Sequence, residues 1–194
     1  MTTTQKLLLI LVIFCAALMN TAHAHPHMFI DVMSKFMVND SALTGFYVYW
    51  DFDEMNSAML IEEFDKNGNG RFEKEESDLI EKNAFSYSAN HNFFITFTWD
   101  KKALKLNKVD DFLATVANNS KVRYSFFVPC DIPLDDISGK DVTIFFQDPS
   151  MFVAFELNRK LIQASSTKEW TSTISFDKMD YLESIILTIT KENS

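Results

Sequence analysis

Asp65, Asn67, Asn69, Glu73 and Glu76 stand at positions 1, 3, 5, 9 and 12 of a twelve-residue stretch. Short oxygen-bearing side chains at this spacing converge on a hard divalent cation. Arg71, at position 7, contributes only its backbone carbonyl, Gly70 allows the sharp turn at position 6, and Phe72 turns an apolar side chain toward a core. Glu76 can offer both carboxylate oxygens. The chemistry is that of an EF-hand calcium loop. The competing reading is an ion-free surface turn built from Asp, Asn and Gly, which has no need of a glutamate at position 12. Only Asp65, Glu73 and Glu76 carry charge and no second loop is present to pair with this one. The expected affinity is therefore weak, roughly 10⁻⁴ to 10⁻³ M, and the expected role is to stabilise rather than to signal.

A second set of ligand types depends on processing. Lys6, the apolar run Leu7 to Leu18 and Ala22-His23-Ala24 have the layout of a cleavable secretory signal. The run is shorter than the roughly 20 apolar residues that span a bilayer. Cleavage after Ala24 would leave no membrane insertion and would free the amine of His25. That amine, the His25 ring and the His27 ring are nitrogen donors suited to Cu²⁺, Zn²⁺, Ni²⁺ or Co²⁺. Pro26 removes the amide that a peptide-nitrogen chelate would need. Asp31 shares the parity of His27 and Phe29 and is a third candidate ligand. The alternative is a frayed terminus with solvated histidines. His91 reads as a surface histidine. Met28, Met33, Met37, Met55 and Met59 have spacing that suits core packing better than thioether ligation.

The elements that position these residues are mostly strands. Met28 to Val38 alternates apolar residues, interrupted only by Ser34, and Leu43 to Phe52 follows after the turn residues Asn39-Asp40-Ser41, so a hairpin opens the domain. Met55, Met59 and Leu60 then take helical spacing before the Asp65 loop. Leu79, Ile80, Ala84 and Phe85 take it after the loop. Further β-rich runs are Phe93 to Trp99, Leu104 to Leu106, Val122 to Val128, Val142 to Phe146, Phe152 to Leu157, Trp170 to Phe176 and Ile185 to Ile189. Pro129, Pro133 and Pro149 fall where strands should stop. The expectation is a signal peptide over 1–24 and a single β-rich domain over 25–194. That domain should be an antiparallel β-sandwich or open barrel with a helix-loop-helix EF-hand inserted at about 54–88.

Composition narrows the function. The chain has 18 Lys+Arg and 27 Asp+Glu; removing Lys6 with the signal leaves 17 against 27, a charge of −10. Phosphate backbones would be repelled, which argues against nucleic acid. One cysteine, Cys130, remains after processing, so no intramolecular disulfide can form, and as a buried thiol it is inert. The chain lacks a GxSxG elbow and an HExxH helix, and Asp51 or Asp53 in the acidic Asp51-Phe52-Asp53-Glu54 run is better read as a helix cap, so no catalytic residue is assigned.

The segment beginning His25-Pro26-His27, Phe52-Asp53-Glu54, Ile61 to Asp65, Tyr124-Ser125-Phe126-Phe127 and Asp148-Pro149 together resemble the periplasmic family called domain of unknown function 1007. The resemblance implies a periplasmic component associated with ABC-type transporters or nickel/cobalt permeases of the inner membrane. The resulting expectation is a periplasmic calcium-binding accessory to transition-metal transport. The alternative is a non-catalytic structural adaptor that needs only the calcium loop.

Overall fold

The computed structural model describes residues 26–117 and 120–192. The elements run β1 (Met28–Val38), β2 (Ala42–Phe52), α1 (Glu54–Phe64), α2 (Lys74–Asn83), a 3₁₀ segment (Phe85–Phe94), β3 (Ile95–Trp99), β4 (Lys102–Ala103) and β5 (Asp110–Val116). They continue through β6 (Val122–Pro133), a short α3 (Leu134–Ile137), β7 (Asp141–Phe146), β8 (Val153–Ala164), β9 (Trp170–Met179) and β10 (Leu182–Lys191). Two five-stranded sheets result, ordered β5-β6-β2-β1-β8 and β4-β3-β7-β10-β9. Among the described strands every pairing is antiparallel except β1 with β8, and no barrel closes. Among the described residues, no helix is long and apolar enough to cross a membrane.

Alternation along the strands builds the core between the sheets. Ile30, Val32 and Phe36 of β1 face inward with Phe46, Val48 and Trp50 of β2, and Phe46 of one sheet stacks on Phe97 of the other at 5.8 Å. Ser34 shares the inward parity of β1. Its hydroxyl donates to the Tyr47 carbonyl at 2.9 Å, so a polar group sits in the core without an unmet bond. Gly45 is required where β2 crosses β6, because a Cβ there would overlap the Phe127 ring and the Val128 carbonyl.

The structure departs from the sequence expectation in several places. Pro129 lies inside β6 rather than ending it. It pairs with Gly45 beside a register shift, where the ladder is already interrupted and a missing N–H costs little. β5 carries no clean strand signal because Asp111 is left-handed (φ 56) and the β5–β6 register shifts there. β4 covers Lys102–Ala103 rather than Leu104 to Leu106. Met55 and Met59 are 62% and 60% exposed; the inward side of α1 is Asn56, Ser57, Leu60, Ile61 and Phe64 instead. The helix therefore docks partly through polar groups.

Those groups fasten the helical unit to the edge of the first sheet. Ser57 Oγ of α1 donates to the Phe52 carbonyl and accepts the Val122 N–H at 2.9 Å. Ser77 Oγ of α2 accepts the Ala114 N–H of β5 at 2.9 Å. β5 is an outer strand, so Ser77 satisfies a ladder donor that has no strand beyond it. Ile80 and Phe85 add the apolar part of the contact.

Beyond α2 the 3₁₀ segment ends in three consecutive left-handed residues, Asn92, Phe93 and Phe94, with φ of 55, 54 and 56. Such a conformation costs about 1–2 kcal/mol per non-glycine residue. Two things hold it: burial of Phe93, and the Asn92 amide, which donates to the Ile95 carbonyl at 2.6 Å and accepts the Leu106 N–H at 2.8 Å. β3 consequently begins at Ile95, two residues later than the apolar pattern suggests.

Candidate metal centres

Asp53 fixes the start of α1. Its carboxylate accepts the Asn56 N–H at 2.9 Å and reaches back to the Phe29 N–H of β1 at 2.8 Å. Burial pushes the Asp53 carboxyl up, but the N–H bonds from Asn56 and Phe29 outweigh it and leave it below its ordinary value. Asp51, the other acid considered as a cap, instead pairs with Arg123 through two contacts of 2.6 and 2.7 Å on the outer sheet face.

Between the helices, the Asp65 carboxylate accepts backbone N–H groups from Gly68 at 2.8 Å, Asn69 at 3.2 Å and Gly70 at 2.7 Å. Gly70 has φ 75, a conformation that a side chain disfavours. The Asn67 amide oxygen accepts the Asn69 N–H at 3.0 Å, and the Asn69 amide oxygen accepts the Arg71 N–H at 2.9 Å. Their amide nitrogens donate to the two oxygens of Glu73 at 2.9 and 2.6 Å. The Asn69 bond, followed by those with Glu76 and Asn67, holds the Glu73 carboxyl below its ordinary value. Glu76, only 6% exposed, accepts the Lys66 N–H at 2.8 Å and the Glu73 N–H at 3.1 Å, tying the first residues of the loop to the start of α2.

Among the described residues, no three His, Cys, Asp or Glu side chains gather as a metal-holding group. The three loop carboxylates are each engaged by N–H donors. Their chemistry nevertheless suits a hard cation, because all the side-chain donors are oxygens and a carboxylate or amide oxygen that accepts one N–H keeps a further lone pair.

His25 lies outside the described residues. His27 is exposed, its ring 5.3 Å from that of Phe152, and its carbonyl accepts the Asn56 amide at 3.2 Å. Asp31 is exposed on β1, registered against Asp51 on one side and Glu156 on the other. Three strand steps, roughly 10 Å, separate Met28 from Asp31, so the strand does not bring His27 and Asp31 together. His91 is exposed and stacks on Phe94, with centroids 5.5 Å apart and planes 4° from parallel. Burial pushes the Cys130 thiol up to about 12, and its Sγ lies 3.4 Å from the Leu43 carbonyl, which favours the protonated thiol.

The described chain is thus a two-sheet β protein with a helix-loop-helix inserted after its first hairpin. It belongs to the family described as "Protein of unknown function (DUF1007)", whose profile matches residues 10–176. An "Uncharacterized protein" of Haemophilus influenzae is 25% identical over 131 residues, 68% of this chain and 62% of that protein. The chain therefore aligns with somewhat less than two thirds of that relative's length. An "Uncharacterized 15.5 kDa protein in trpE 3'region" of Spirochaeta aurantia is 26% identical over 100 residues, 52% of this chain and 69% of that protein.

Proposed function

We propose that this protein is a periplasmic, non-catalytic accessory protein whose insert is an EF-hand that takes Ca²⁺ as a structural clasp. One observation carries the reading: the loop from Asp65 to Glu76 holds oxygen donors at every ligand position, with the Asp65 carboxylate turned to three N–H groups and Glu76 buried across both ends of the loop. Asp65, Asn67, Asn69, Glu73 and Glu76 would hold the ion with the Arg71 carbonyl, and the ion would offset the charge of three carboxylates. Calorimetric titration of the processed chain with CaCl₂ should reveal one weak site, absent in Glu76→Gln. Tight binding, or binding that survives this substitution, would remove the assignment.

A second reading adds transition-metal handling as a partner of an inner-membrane permease or ABC-type transporter. It is favoured by the exposure of His27, two positions along the sequence from His25. Under this reading the chain starting at His25 binds one nitrogen-ligated Cu²⁺, Ni²⁺, Co²⁺ or Zn²⁺, and His25→Ala loses it. A chain that titrates with calcium alone is a structural adaptor.

A further inference from the structure

At the end of the sandwich, between the ends of β1, β2 and β6 and the segment that follows α2, lies a cavity of about 470 Å³. Its size falls within the range of small-molecule sites. The walls are rings: Trp50, Phe52, Phe85, Phe94, Tyr124 and Phe152 all line it. Trp50 is 3% exposed, and its Nε1–H is closed to water and has no acceptor. A buried donor without a partner is costly, and native proteins seldom keep one. The backbone beside it is also strained, since Phe94 is the last of the three left-handed residues and is set by them against Trp50, 6.3 Å between ring centroids.

Charge decides the class of occupant. None of the lining residues is Lys or Arg, and the one imidazole among them, His91, is exposed and stacked on Phe94, so an anion finds no fixed counter-charge. The one carboxylate at the wall, Asp148, is consumed by its own loop: it accepts the N–H and hydroxyl of Ser150 and the N–H groups of Phe152 and Val153, at 2.7–3.1 Å. A cation would therefore gain little. Burial pushes the Tyr124 hydroxyl up, so it stays protonated at the wall.

We propose that this cavity binds a neutral, ring-bearing apolar small molecule with one hydrogen-bond acceptor, which engages the Trp50 Nε1–H as the surrounding rings part to admit it. The body of the molecule would be held by ring contacts, with the single acceptor fixing its orientation.

The test uses the neutral naphthyl ketone prodan, titrated into the full processed chain and followed by its emission and by quenching of tryptophan fluorescence. Saturable binding with blue-shifted emission is expected. Trp50→Phe keeps a ring but removes the donor and should weaken binding about five- to tenfold, the worth of one hydrogen bond. Trp99→Phe should leave binding unchanged; its indole is equally unpartnered but does not line the cavity. Ala84→Phe, which fills the cavity from its wall, should abolish binding while the far-ultraviolet circular dichroism is retained. On the unaltered protein, 2-dimethylaminonaphthalene, which lacks the ketone, should bind about five- to tenfold more weakly than prodan. Non-saturable binding, equal affinity for the two probes, or full affinity in Ala84→Phe would overturn the proposal.

Discussion

The loop from Asp65 to Glu76 and the cavity beside Trp50 lie at opposite ends of one helix, α2, and have opposite chemistry. The loop has polar groups in excess, and each carboxylate is met by N–H donors from residues at most ten positions away. The cavity is built from rings drawn from the first sheet, the segment after α2 and the loop before β8, and its indole donor has no partner. A polar loop of this kind can satisfy itself locally, and an ion would add only the surplus of its charge. An apolar cavity depends on the whole domain being folded, and its unmet donor invites something from outside. The larger share of stability should therefore reside at the cavity end, with ligand binding at either end. Substitutions can test that division.

The largest loss should follow Phe85→Ala. Phe85 contacts Trp50, Phe93, Phe112, Tyr124 and Phe126, with ring centroids 4.4–6.1 Å apart, and joins the insert to the first sheet. A buried Phe→Ala typically costs about 3–5 kcal/mol, readable as a fall in the urea midpoint. Saturating calcium should not restore it. A loss no greater than that of Glu76→Gln would reverse the comparison and make the loop the stronger fastening.

Ser77→Ala should come next. It leaves the buried Ala114 N–H without an acceptor, at a cost of about 1–3 kcal/mol, and should raise hydrogen exchange along β5 before the other strands. Uniform exchange along both sheets would mean that α2 does not secure that edge. Below this in size is the calcium effect itself. At calcium tenfold above its Kd, the stabilisation is about 1.4 kcal/mol by mass action, measured as a shift in Tm. Glu76→Gln should lose that shift, because the neutral amide is a poorer ligand for a hard cation.

The same contrast explains what the sequence made legible. The loop spacing, a helix cap at Asp51 or Asp53 and the first hairpin are local patterns, and all three can be read from neighbouring residues. Asp53 could be separated from Asp51 only by structure, because its role depends on Phe29 N–H, 24 positions away. The cavity had no sequence signature. Trp50 and Phe85 read simply as apolar residues, and Phe94 read as strand because nothing local announces a left-handed run that depends on Asn92 bonding to Leu106. Met55 and Met59 took helical spacing as a buried face, yet α1 turns inward the smaller Asn56 and Ser57, whose hydrogen bonds reach His27 and Val122. Leu60, Ile61 and Phe64 share that inward side, so apolar packing and long-range hydrogen bonding together chose the face of that helix.

The smallest effect concerns pH and separates the two ends by the source of their depressed carboxyls. Asp53 and Asp148 are both pushed up by burial but more than offset by hydrogen bonds: Asn56 and Phe29 hold Asp53, and Ser150, Val153 and Phe152 hold Asp148. Since the folded value lies below the ordinary 3.8, each group's contribution to stability is complete above that value and is lost as pH falls through the lower folded value. Stability should thus vary little from these two groups between pH 7 and 5 and decline in the region below about pH 4. Glu73 is also depressed, first by Asn69, yet it is fully exposed and makes its bonds within the loop. Calcium should lower the Glu73 midpoint further while leaving Asp53 and Asp148 unmoved, as read by carboxyl-carbon NMR titration with and without CaCl₂. A calcium-dependent shift at Asp148 would show that the two ends of α2 communicate electrostatically, which their separate hydrogen-bond sets argue against.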